Sequence, residues 1–117
     1  MKTVLIVDDS AVMRMMLKNI LTGHGYNVIG EAADGKAGVK KYEELRPNYV
    51  TMDVTMNVMN GIEALSRIMG FDPDAKVVMV SSMGQEVYVR DAIMLGAIGY
   101  ILKPFDEMQI INALKKA

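Results

Sequence analysis

The sequence predicts a doubly wound α/β domain, with a parallel sheet covered by helices on both faces. Three observations predict it. Five short apolar runs alternate with five longer amphipathic stretches, and Gly, Asn, Asp and Pro punctuate the joints between them. The first run is apolar at successive positions, the pattern of a strand buried on both faces. Strict strand–helix alternation is the signature of βα units. At 117 residues the chain is read as one domain spanning 1–117, with no linker, low-complexity tract or repeat interrupting it.

The first strand is read at Thr3-Val-Leu-Ile-Val7 and ends at Asp8-Asp9-Ser10. Val12, Met13, Met16, Leu17, Ile20 and Leu21 then recur at helical spacing, opened by a Ser or Asp N-cap and stopped by Gly23 and Gly25. Asn27 to Ala32 is a weaker strand, Gly35 to Leu45 a helix, and Pro47 marks the return to a third strand, Asn48 to Asp53. Gly61 to Met69 carries Ile62, Leu65, Ile68 and Met69 on one face, and Asp72-Pro73-Asp74 reads as a turn. Lys76 to Ser81 is the fourth strand, followed by a helix from Glu86 to Leu95 that Gly96 ends. Gly99 to Leu102 is the fifth strand, and Asp106 caps a last helix through Met108, Ile111 and Leu114. Met13, Met16, Met52, Met69, Met79 and Met108 fall at apolar spacing and are expected to fill core gaps.

Composition removes several functions. With no Cys and one His (His24), disulfides, thiolate or multi-histidine metal sites and thiol catalysis are excluded. His24, between two glycines at a helix end, is read as a surface residue. Thirteen basic against fourteen acidic residues leave a net charge of −1, which argues against nucleic acid as a partner. No apolar run reaches the roughly 18–20 residues needed to span a bilayer, and no signal-peptide pattern opens the chain, so a cytoplasmic protein without membrane insertion is expected. No dinucleotide fingerprint or Walker loop is present.

In open α/β sheets, ligands gather beyond the carboxyl ends of the strands. If the first and third strands are neighbours, Asp8, Asp9 and Asp53 converge there. Like charges that close need a compensating cation, and a hard divalent ion such as Mg²⁺ suits an all-oxygen donor set. Taken alone, Asp8, Asp9 or Ser10 could equally be helix caps. With Lys103 and Ser81 at neighbouring strand ends, the set describes a phosphoryl-transfer site. Asp53, isolated at its strand end, is the candidate nucleophile, and the paired Asp8 and Asp9 are better placed as metal ligands.

These residues resemble, over essentially the whole chain, the response-regulator receiver domains. The resemblance is carried by the paired acids Asp8-Asp9-Ser10, the isolated Asp53, the hydroxyls Ser81-Ser82 and the run Lys103-Pro104-Phe105, with intervals of 28 residues from Asp53 to Ser81 and 22 from Ser81 to Lys103. Through Asp8 to Lys18 and Ser81-Ser82-Met83-Gly84-Gln85 the chain is similar to stand-alone chemotaxis regulators of the CheY type. The resemblance implies a flavodoxin-like sheet of order 2-1-3-4-5, an order for which CheY is itself a standard example. It also implies that Asp53 accepts a phosphoryl group from a sensor histidine kinase. Asp9, Asp53 and the backbone carbonyl of Thr55 would hold Mg²⁺, with Asp8 acting through coordinated water. Lys103 would pair with the phosphoryl oxygens, Ser81 would move toward them, and Tyr100 would change rotamer behind it. Ser82 fills the small-residue position that admits the group, and the Lys103–Pro104 bond is a candidate cis peptide. One departure is Asn57, where the family commonly has Pro; it frees φ and restores a backbone donor, so the loop after the third strand is expected to be more mobile.

The switched surface implied is that of the fourth helix, fifth strand and last helix. Tyr88, Asp91 and Leu95, at i, i+3 and i+7, are read as its docking face, turned away from Val89, Ala92 and Ile93. The expected partners are the sensor kinase, a flagellar-type motor switch or adaptor protein, and a phosphatase. The chain ends at Ala117 just after the last helix, so output is expected through binding another protein, with the chain a monomer. The alternative within the family is a phosphorelay carrier that passes the group to another His protein. Outside it, an inert scaffold keeps the fold without phosphorylation, and a haloacid-dehalogenase phosphatase shares the Asp, Mg²⁺ and Lys but spaces its acids as Asp-x-Asp, whereas here they are adjacent.

Overall fold

The computed structural model describes residues 2–82, 84 and 86–116. Met1, Met83, Gln85 and Ala117 lie outside the described residues, so the 81–85 motif is seen at Ser81, Ser82 and Gly84. The elements are β1 (Thr3–Val7), α1 (Ala11–Gly23), β2 (Asn27–Ala32), α2 (Gly35–Leu45), β3 (Tyr49–Asp53), α3 (Gly61–Phe71), β4 (Val77–Ser82), a 3-10 turn (Glu86–Tyr88), α4 (Val89–Leu95), β5 (Gly99–Lys103) and α5 (Glu107–Lys115). All neighbouring strands pair in parallel, in the order β2-β1-β3-β4-β5, as the resemblance implied.

The helix starts follow from short polar side chains that bond orphan N–H groups. Ser10 Oγ accepts from Met13 N–H, Asp34 from Ala37 N–H, and Asn60 from Glu63 N–H. Asp106 and Gln109 form a reciprocal capping box at α5. The predicted helix over 86–95 is instead a 3-10 turn followed by the seven-residue α4, whose N-cap Tyr88 makes no side-chain capping hydrogen bond among the described residues.

Alternate residues along each strand enter two cores. Leu5, Val7, Val50, Met52, Val77 and Met79 pack under α2, α3 and α4 with Tyr42, Leu65, Ile68 and Ala92. Val4, Ile6, Val78, Val80 and Ile101 pack under α1 and α5 with Leu17, Leu21, Ile110 and Leu114. β3, at the centre, is buried at all five positions, which holds Asp53 rigidly at its end.

Two core expectations need correction. Met52 and Met79 are fully buried and Met13 and Met69 pack on the core edges, but Met16 and Met108 are 42% and 45% exposed. Tyr88, ending the 3-10 turn, and Asp91, on α4, face outward as expected, but Leu95 packs against the core while Ile93 and Met94 are exposed. The reason is spacing: Leu95 lies three residues after the buried Ala92 and so shares its face.

Candidate functional site

The site forms at the carboxyl ends of β1, β3 and β5, with β4 between the last two. Asp8 follows the last residue of β1, and its N–H donates to the Ala32 carbonyl at 3.0 Å, extending the β1–β2 ladder by one rung. Asp53 is the last residue of β3 and Lys103 the last of β5. Asp8 and Asp53 are buried and Asp9 is exposed, yet carboxylate oxygens from all three lie within 4.8 Å of one another. Lys103 Nζ donates to Asp8 Oδ2 at 2.9 Å and stands 3.6 Å from Asp53 Oδ1. The other Asp8 oxygen accepts the Ser10 N–H at 2.9 Å.

One lysine beside three carboxylates leaves the cluster negative. Burial, and then the charge of Asp8, push the Asp53 carboxyl up to about 6; Asp9 adds to the rise, while Lys103 and the Val54 N–H oppose it. A second cation would relieve that repulsion, and the donors present are hard oxygens of the kind Mg²⁺ takes.

Ser81 and Tyr100 lie on adjacent strands, and the Ser81 hydroxyl donates to the Tyr100 hydroxyl at 2.8 Å. Ser82 pairs in register with Lys103, and the Lys103–Pro104 peptide is cis. An apolar groove of about 260 Å³, lined by Met13, Met16, Ser82, Lys103, Pro104 and Phe105, opens beside Lys103. His24, at the far end of α1, caps that helix and bonds Glu107 at 2.9 Å, away from this chemistry.

The β3–α3 loop carries Thr55 and Asn57, both exposed. Three main-chain bonds fasten it: Gly61 N–H to Val54 carbonyl at 2.6 Å, Gly35 N–H to Met59 carbonyl at 3.0 Å, and Met59 N–H to Asn57 carbonyl at 2.7 Å. The last closes a γ-turn around Val58, whose φ of +69° is strained for a β-branched residue.

Two contributions escaped the sequence reading. A Cβ on Gly61 would overlap the Asp53 carbonyl oxygen, so the α3 start is packed directly against the candidate acceptor's backbone. The signal was there, a glycine directly after an N-cap Asn, but only the fold shows what it touches. Arg14, one turn into α1, donates through Nη1 to the Asp8 carbonyl at 2.7 Å.

Comparison with known proteins gives concordant results. The family model for the response regulator receiver domain matches residues 4–115. The chain is 54% identical over 115 residues to the chemotaxis protein CheY of Thermotoga maritima, covering 98% of this chain and 96% of that one. It is 50% identical over 117 residues to the CheY of Listeria monocytogenes, covering 100% and 98%. Among solved structures it is similar to a crystal structure of the CheX-CheY-BeF3-Mg²⁺ complex from Borrelia burgdorferi, with a TM-score of 0.94 and 41% identity over 98% of this chain and 87% of that one. Sequence, strand order and the acidic strand ends thus agree, and the chain belongs to the response regulator receiver domain family, as a CheY-like signalling switch of the two-component type.

Proposed function

We propose that this chain, as a single receiver domain over residues 1–117, is a cytoplasmic chemotaxis switch that accepts a phosphoryl group on Asp53 from a sensor histidine kinase. The observation that carries this reading is Lys103 Nζ, 2.9 Å from Asp8 and 3.6 Å from Asp53, beside a third carboxylate. An Asp53 oxygen attacks phosphorus and the bond to the donor imidazole breaks, while Lys103 meets the charge on the phosphoryl oxygens. Asp9, Asp53 and the Thr55 carbonyl would hold Mg²⁺, with Asp8 acting through coordinated water. Bound there, Mg²⁺ neutralises charge that the carboxylates and the phosphoryl group would otherwise set against each other. The apolar groove beside Lys103 leaves the donor an approach from the α1 side.

Output follows from Ser81. Its hydroxyl ends on Tyr100, and a phosphoryl oxygen competing for that hydroxyl releases the tyrosine on β5. The affected face is α4-β5-α5, where Tyr88 and Asp91 are exposed with Ile93 and Met94, and a motor switch or adaptor protein is the partner it serves. The same site would assist its own dephosphorylation, with or without a phosphatase.

The test is intact-protein mass spectrometry after incubation with acetyl phosphate and Mg²⁺. One phosphoryl adduct, absent in Asp53→Asn and without Mg²⁺, is expected. No adduct, or one that survives Asp53→Asn, overturns the reading in favour of a scaffold or a different acceptor.

A further inference from the structure

Asp8 is held at every hydrogen-bonding group it has. Its N–H goes to Ala32, its carboxylate oxygens take Ser10 N–H and Lys103 Nζ, and its carbonyl takes Arg14 Nη1 at 2.7 Å. That carbonyl belongs to the peptide joining Asp8 to Asp9. Because a peptide is planar, fixing its oxygen fixes the direction in which Asp9 leaves β1. Arg14 is itself anchored, with Nε 3.3 Å from Glu31 Oε1 on β2. A guanidinium presents several donors in a rigid fork and can serve a carbonyl and a carboxylate together; an ammonium on a flexible stem holds neither with the same geometry.

We propose that Arg14 is a positioning residue for the cation site: it clamps the Asp8–Asp9 peptide between α1 and β2 so that the Asp9 carboxylate meets Asp53. The proposal rests on the Mg²⁺ reading above and adds to it a residue that acts through the backbone. Elementary electrostatics makes it sharp. A cation near an acidic cluster repels Mg²⁺, so deleting its charge should tighten Mg²⁺ binding if charge were its only effect. Loss of a clamp should weaken it.

The experiment is calorimetric titration of Mg²⁺ into the wild type, Arg14→Ala, Arg14→Lys and Lys18→Ala, with urea unfolding of each in metal-free buffer. Lys18 is the control: it lies on the same helix, 4.0 Å from Glu31, with a side chain 54% exposed. Removing an outer partner of a metal ligand typically weakens binding by about tenfold or more, and that is expected for Arg14→Ala. Arg14→Lys is expected to recover part of the loss, and Lys18→Ala, an exposed charge, to stay within about twofold of wild type. Equal or tighter Mg²⁺ binding by folded Arg14→Ala overturns the proposal, as does a lower urea midpoint with unchanged Mg²⁺ affinity, which is what a purely structural role predicts. If Arg14→Ala does not fold, Arg14→Lys carries the test, with unchanged affinity again overturning it. Failure of the wild type to bind Mg²⁺, or binding that survives Asp9→Asn combined with Asp53→Asn, removes the metal reading itself and the proposal with it.

Discussion

The Ser81 hydroxyl, fully buried on β4, donates a 2.8 Å hydrogen bond to the hydroxyl of Tyr100 on β5. Tyr100 is half-buried and its ring packs on the α2, α3 and α4 side of the sheet. A group at the strand ends and a ring at the sheet face are therefore joined through two oxygen atoms.

That bond can be measured. A buried neutral hydrogen bond contributes about 1 kcal/mol net. In a double-mutant cycle of Ser81→Ala and Tyr100→Phe followed by urea unfolding, a coupling of about 0.5–1.5 kcal/mol is expected. Additive effects would mean that the contact carries nothing. Tyr100→Phe should still accept a phosphoryl group, since the acceptor is untouched.

Asp53 gives the protein a signed pH dependence. Its carboxyl titrates at about 6 in the folded chain against an ordinary 3.8. The folded state therefore binds more protons between those values, and stability falls as pH rises through the window. The cost above it is about 2–3 kcal/mol, so Asp53→Asn in metal-free buffer should be more stable than wild type at pH 8 by about that amount. At pH 3.5 the difference should vanish. A flat difference between pH 3.5 and 8, measured by urea midpoints, would contradict the assignment of strain to this carboxylate.

Gly61 sets the backbone next to Asp53, the proposed acceptor. A Cβ there would overlap the Asp53 carbonyl oxygen and crowd Val54, both main chain and unable to swing aside. Gly61→Ala should cost about 1–3 kcal/mol, as overpacking does, and should slow labelling of Asp53 by acetyl phosphate. Ser66→Ala, exposed on α3, should do neither, as is usual for surface substitutions.

Thr51 lies two residues before Asp53 on β3, and its Oγ1 is buried without a hydrogen-bond partner among the described residues. Thr51→Val replaces that hydroxyl with a methyl of similar shape. The variant should be as stable as wild type or more stable by about 1 kcal/mol. A loss of stability in urea unfolding would reveal a hidden partner for the hydroxyl.

The strands were legible because their apolar runs leave few other ways to bury Val4 to Val7 or Val77 to Val80, and the helix starts because Ser10, Asp34, Asn60 and Asp106 cap by short-range chemistry. The meeting of Asp8, Asp9, Asp53 and Lys103 was legible because strand ends are where a doubly wound sheet exposes its ligating residues. What escaped depends on packing across elements. Met16 and Met108 fit the helical period yet stay partly exposed. Leu95 turns inward because it lies three residues after the buried Ala92 and so shares its face. Arg14 reaches a carbonyl six residues back and a carboxylate on another strand, a pairing that local periodicity does not encode.

The most direct test of the account is to label the protein with acetyl phosphate and Mg²⁺, reduce it with borohydride, which turns an aspartyl phosphate into homoserine, and map the peptides. Homoserine at position 53, with Asp8 and Asp9 intact, is the predicted result. Homoserine at position 8 or 9, or none at 53 in protein that carries a phosphoryl group, would contradict it.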